Sequence, residues 1–345
     1  MLFKITTNPA PPNPKVSDTE FKAFYPAVNA NMEWCTLEPY IEQAEDLFIK
    51  PAISDAFYDV LDTEYTATGT IADPEQATTF RLLRVALANY VMFLAMPDLA
   101  MRLGDGGTME NNSGDTMPVR QWVFKETRWN AYRKAYRFLD SALVYMEDQV
   151  AADNADFATF EASDAYTVSR RYLIPDAATF QRYYNINRSR LTFVALRPYI
   201  EKAQELYVRP LLCDLYDEIL TQYAAGTLTA ANNTLLEHIR RYLAEATLTE
   251  AFPDLNFVND GQGWITIADP DAATIAGDQL SQMQQNQLTR AETNAASFRL
   301  AIENHIYTNL DDYPTYKASS CNEIEDTENN TANPETDPEA GAFII

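Results

Sequence analysis

Histidine is almost missing from this 345-residue chain, which has only His238 and His305. That scarcity excludes catalytic designs needing several imidazoles, including a di-iron helical bundle, which requires two Glu-x-x-His pairs. Glycine is sparse too, at 10 residues, and no GxxxxGK[ST] loop, no GxGxxG after a strand and no GxSxG elbow is written. Nucleotide-binding and serine-hydrolase readings therefore have no support. The cysteines, Cys35, Cys213 and Cys321, are odd in number and irregularly spaced, so they predict free thiols rather than a disulfide framework or a CxxC metal site. Basic residues are few, 26 Lys and Arg against 50 Asp and Glu, for a net charge of −24. So acidic a chain cannot replace the counterions of a nucleic acid backbone, although DNA could slide past it without sticking. No long apolar run occurs either. The most apolar window, Phe80 to Met96, carries Arg81, Arg84 and Asn89 and reads as a buried core helix rather than a membrane span. The start, MLFKITTNPAPPNPK, lacks the apolar core of a signal peptide, so a soluble protein outside any membrane is expected.

What is present is a duplication. The stretch PYIEQAEDLFIKPAISDAFYDVL at Pro39 to Leu61 returns as PYIEKAQELYVRPLLCDLYDEIL at Pro198 to Leu220, displaced by 159 positions. Self-similarity at a fixed period decides the architecture before any single element does. Together with 46% hydrophobic and 12% aromatic residues, it predicts a mainly α protein of two tandem homologous helical-bundle modules with short β or loop additions. The expected limits are an extended Pro-rich arm at 1–16, module 1 at 17–170, module 2 at 171–321 and an acidic tail at 322–345.

Within the repeat, Leu37, Tyr40, Ile41, Ala44, Leu47 and Phe48 fall at helical spacing on one apolar face, leaving Glu42, Glu45 and Asp46 to water. Tyr199, Ile200 and Ala203 repeat that face. Pro51 and Pro210 end or kink the helix, because proline cannot supply a backbone N–H. A central apolar helix from Glu75 to Met96 follows, preceded by Pro74 at its first turn, and its copy runs from Leu235 to Phe252. Each copy continues through Pro-Asp-Leu (97–99, 253–255) and a glycine-containing loop or hairpin. Next comes a long helix, on which Trp122, Trp129, Tyr132, Tyr136, Leu139, Leu143 and Met146 keep near-heptad spacing. FATFEAS at Phe157 and YPTYKAS at Tyr313 close the copies. Four prolines among residues 9–14 predict an arm that lies on a partner or is disordered. The tail ends in Phe343, Ile344 and Ile345, a terminus suited to docking on a partner.

Chemistry-bearing constellations are weak. His238 reads as a surface or packed residue, and His305 as a charge near a helix end. Asp105, Glu110 and Asp115 could hold calcium in the first loop, but the second copy lacks their spacing. Glu42 with Glu45, and Glu201 with Glu205, lie on or beside the solvated face, where nothing separates their pKa values. The aromatic stripe suits a core or subunit contact better than base stacking in so acidic a chain. No catalytic, cofactor-binding or metal residue is assigned, and no enzymatic role is expected.

The signature, followed by an apolar helix, Pro-Asp-Leu and a glycine-containing loop, resembles the head-tail connector or adaptor proteins of tailed bacteriophages, in a duplicated phage and prophage form. The resemblance covers both copies and is carried by Tyr40, Ile41, Ala44 and Pro51 and by Tyr199, Ile200, Ala203 and Pro210. It implies helical modules in a ring beneath the portal, with terminal segments gripping neighbours and DNA passing through without specific binding. The implied partners are further copies of the chain, the portal and tail or other connector proteins. The implied location is the virion's head-tail junction, after assembly in the host cytoplasm. The simplest adaptors have a single module, and this chain has two. The alternatives are a monomeric helical binding scaffold of a bacterial cell and, further off, an acidic hydrolase.

Overall fold

The computed structural model describes the backbone of residues 2–6, 13–104, 107–110, 120–255, 257–259, 264–266 and 277–322. The described residues are mainly helical and fall into two compact units. The first comprises Met1–Arg170, Ile186–Val194 and Asn259–Ile275, and the second Arg171–Asn185, Ala195–Val258 and Ala276–Ile345. In chain order the principal helices of the first copy are α1 (Trp34–Ala44), α2 (Asp55–Thr68), α3 (Pro74–Leu99) and α4 (Gln121–Ala151). Those of the second are α5 (Arg190–Ala203), α6 (Asp214–Ala225), α7 (Ala230–Ala251) and α8 (Gly277–Thr308). The glycine-containing stretches form short hairpins, β1 (Met101–Gly104) antiparallel to β2 (Gly107–Glu110), and β3 (Phe257–Asn259) paired with β4 (Trp264–Thr266).

The first unit is built around α3. Asp73 caps it, its carboxylate accepting the Gln76 N–H at 2.7 Å, and Pro74 takes the first turn, where a missing N–H costs nothing. By length and composition α3 could cross a membrane, yet in this unit its apolar residues, among them Leu83, Leu87, Val91 and Phe93, are buried and it packs along α1 and α4. It runs three residues beyond the expected Met96, through Pro97. Pro97 cannot donate to the Phe93 carbonyl four residues back. The Nε of Arg128 on α4 donates to that carbonyl instead, at 3.3 Å. On α4 the expected stripe is buried from Tyr132 to Met146, whereas Trp122, at the helix start, is 66% exposed. Both α2 and α6 stop at a left-handed glycine, Gly69 (φ +79°) and Gly226 (φ +66°), the conformation that closes a helix without a Cβ clash.

The expectation for the arm is corrected at its start. Leu2 and Phe3 are core residues, with Phe3 edge-on to Phe21 and Phe24, and Ile5 bridges to Thr19. Two large apolar side chains ahead of the prolines anchor this segment in the core. Pro9, Pro11 and Pro12 lie outside the described residues, as do tail residues 323–345, with Phe343, Ile344 and Ile345.

Residues Ile186–Val194, expected in the second module, belong to the first unit. Asp140 of α4 explains the attachment: its carboxylate accepts the Leu191 N–H at 2.9 Å and the Ser189 hydroxyl at 3.1 Å, so it caps α5 from another helix. Arg190 pairs with Glu147 at 2.6 Å. Burial pushes the Asp140 carboxyl up to about 6, its hydrogen bonds offsetting only part of the desolvation. The folded chain therefore holds this proton where the unfolded chain has released it, and stability is lost as pH rises from about 4 towards 6. Asp140→Asn should remove that loss, gaining on the order of 2 kcal/mol at pH 7 and little at pH 4. Urea unfolding across pH 4–7 checks this, and curves parallel to wild type at every pH would reject it.

Candidate functional site

An α-helix directs each N–H to the carbonyl four residues back, so Pro51 and Pro210 leave the carbonyls of Leu47 and Leu206 without that partner. Ahead of each proline the helix widens into one π turn, Glu45–Ile49 and Gln204–Val208. In these turns the Lys50 N–H reaches the Glu45 carbonyl, and the Arg209 N–H that of Gln204. Two expectations reverse at these turns. Glu45, read as solvated, is 4% exposed, and Leu47, read as buried, is 55% exposed. Leu206, at the equivalent position of the second copy, is 54% exposed.

The inward side chain is a hook. A Glu45 carboxylate oxygen accepts the Leu2 N–H at 2.8 Å, and in the second copy Gln204 Oε1 accepts the Leu173 N–H at 2.7 Å. Burial raises the Glu45 pKa, opposed by the Leu2 hydrogen bond. A second tie comes from the central helices. Arg84 bonds Glu20 at 2.6 Å beneath the rings of Phe24, Phe3, Tyr65 and Phe80, and the Tyr65 hydroxyl joins the same carboxylate. Its counterpart Arg240 donates Nε to the Leu173 carbonyl at 2.7 Å. Each copy thus holds its leading segment by a side-chain oxygen and an arginine.

The other signature residues build the frame of this site. Ile41, Ala44, Ile200 and Ala203 are fully buried, while Pro51 and Pro210 stand exposed at the turn. Tyr40 donates its hydroxyl to Asp98 at 2.9 Å, and Tyr199 faces Asp254 likewise, which ties the tyrosine to the Pro-Asp-Leu motif.

Just past each turn a non-glycine residue adopts positive φ, Ser54 at +75° and Cys213 at +49°, a strained geometry that persists only when its surroundings impose it. Around Ser54 lies an open groove of about 1120 Å³ lined by Asp46, Lys50, Asp55, Thr159, Asp164 and Ala165. In the second unit Cys213 is disulfide-bonded to Cys321, with Cα atoms 6.1 Å apart. The free-thiol expectation is thereby corrected: the fold brings together two cysteines 108 positions apart, and Cys35 alone stays free and exposed. A smaller cavity of about 420 Å³ adjoins the bond, lined by Tyr207, Tyr242, Arg299, Tyr307, Tyr316 and Cys321.

The two histidines, read as unrelated, meet between α7 and α8 with ring centroids 4.8 Å apart, and His305 Nε2 lies 2.9 Å from the Tyr313 hydroxyl. Burial and the neighbouring His305 lower the His238 pKa. No sequence period announced this pairing. Among the described residues no cluster of three or more His, Cys, Asp or Glu is placed to hold a metal. The side chains of Asp105, Glu110 and Asp115 lie outside the described residues. Glu201 is engaged by Arg171 and Tyr172, and Glu205 by Arg209 at 2.7 Å, so these carboxylates serve as structural acceptors.

Glu45→Gln converts the first hook into the second. The raised carboxyl pKa means that ionised Glu45 weakens the folded state as pH rises above its unfolded value. The variant should therefore be more stable at pH 7, by about 1 kcal/mol, and equal to wild type near pH 4. Thermal melts at the two pH values measure the difference, and destabilisation at pH 7 would contradict the assignment.

Residues 49–170 and 208–325 match the profile of a protein family described as a family of unknown function, DUF6712. Each match begins inside one of the widened turns, at Ile49 and at Val208. No curated protein matches the chain, and no solved structure does. The matches span more than half of the sequence in two tandem regions, and the chain belongs to the DUF6712 family, whose module it carries twice.

Proposed function

We propose that this chain is a non-enzymatic assembly protein, a head-tail adaptor of a tailed bacteriophage that forms a ring below the portal. The observation that carries the reading is the exposure of Leu47 and Leu206, at 55% and 54%. A single exposed leucine needs no explanation. Leucines outward at equivalent positions, on copies that have diverged elsewhere, suit a surface that each module presents to another protein. Trp122, 66% exposed, adds a large side chain of the kind enriched in binding hot spots. The net charge of −24 suits a channel that DNA must traverse without being held. The inward carboxylate, Glu45, is committed to the Leu2 amide, which supports scaffolding over hydrolysis. A monomeric helical scaffold is the second reading, favoured by the open groove around Ser54.

Light scattering at several concentrations and negative-stain images, alone and with a cognate portal, separate the two readings. A ring is expected in at least one setting. The double variant Leu47→Asp, Leu206→Asp should keep the helical circular dichroism and lose the ring. A strict monomer indifferent to the portal would replace the adaptor with the monomeric scaffold.

A further inference from the structure

The two copies provide an internal comparison at the closing turn. FATFEASDA at Phe157–Ala165 aligns without a gap on YPTYKASSC at Tyr313–Cys321. Ala165 is therefore the counterpart of Cys321, as Ser54 is of Cys213. In the first unit Ser54 and Ala165 both line the open groove, with no covalent link between them. In the second unit the same two positions are bonded to each other. Ser54 and Cys213 both have positive φ, +75° and +49°, but their ψ angles differ, 149° against −128°, so the copies share the turn while its local geometry differs between the unbonded and the bonded position.

We propose that Cys213 and Cys321 form a redox-gated clamp. Oxidised, it bolts the turn Pro314–Lys317 and the chain after it to the start of α6. Reduced, it lets that face open towards the arrangement of the first unit. The turn keeps bonds of its own: the Tyr316 hydroxyl donates to the Cys321 carbonyl at 3.2 Å, Asn322 Nδ2 to the Lys317 carbonyl at 3.0 Å, and Thr315 to Glu218 of α6. Tyr313 remains tied to the Ala231 carbonyl at 3.1 Å. Reduction therefore loosens the turn without unfolding the unit.

Access is built in. Both cysteines are half-buried rather than enclosed, and Cys321 lines the 420 Å³ cavity, so a small thiol can reach the bond. A thiolate of a dithiol reductant attacks one sulfur, the Cys213–Cys321 bond breaks, and the departing cysteine takes a proton. The second reductant thiol then attacks the reductant's own sulfur in the mixed disulfide and expels the remaining cysteine, which takes up a proton. The products are two cysteine thiols and the oxidised reductant. Closing the clamp is the reverse exchange with a small disulfide such as oxidised glutathione.

The test uses the full chain equilibrated with oxidised glutathione or with dithiothreitol. Thiol titration under denaturing conditions should find one reactive thiol after oxidation and three after reduction. Reduction should lower Tm by roughly 10 °C, the scale for opening a loop of this length in a unit of this size. Amide exchange should speed up at residues 210–214 and 314–322 and stay unchanged at their counterparts 51–55 and 158–166. Cys213→Ser and Cys321→Ala, which install the first module's own residues, should reproduce the reduced state and ignore reductant, whereas Cys35→Ser should respond as wild type does. If one of the first two fails to fold, the other variant and the reduced wild type carry the test. Three thiols after oxidation, or Tm and exchange indifferent to reductant, would overturn the proposal.

Discussion

In each copy a single side-chain oxygen, at the first residue of a widened helical turn, receives the backbone amide of the segment that leads into the module. Glu45 does this for Leu2 and Gln204 for Leu173. Remove this side chain, and the amide loses its acceptor and the leading segment loses its first fixed point. The arginine of the central helix then has less to grip, because Arg84 stacks on Phe3 and Arg240 binds the Leu173 carbonyl. The proline after the turn is therefore an organising residue: it denies the α register one hydrogen bond, and the chain's answer to that denial sets which faces are inside.

Much of this was legible in the sequence. The duplication, the helical class and the buried positions of Ile41, Ala44, Ile200 and Ala203 follow from periodicity. So does the central helix, whose first turn is marked by Pro74. The misreadings cluster where one local rule stops applying. Counting at 3.6 residues per turn through the π segment put Leu47 inside, the reverse of the structure, whereas Glu45, four residues after Ile41 and so on its face, was put outside for its charge. Proline density at residues 9–14 obscured Leu2 and Phe3, which lie ahead of it and enter the core.

The remaining surprises are long-range. Cys213 and Cys321 meet across 108 positions, and His238 meets His305 across two helices. Neither pairing has a local signature, because only packing decides which distant side chains share a space. A cue for the cysteines did exist. Aligning the closing turns as well as the opening signature shows that both cysteines replace small residues at positions the first module places around one groove. An internal repeat thus predicts contacts as well as boundaries, provided its ends are compared as carefully as its beginning.

The two hooks differ by one functional group, an ionisable carboxyl at Glu45 and a neutral amide at Gln204, and just one unit carries a covalent bond. The first half therefore answers to proton activity through its hook, and the second to electron donors through its clamp. A chain of two diverged copies has in this way acquired separate handles on its halves, so the medium can choose which of them loosens first.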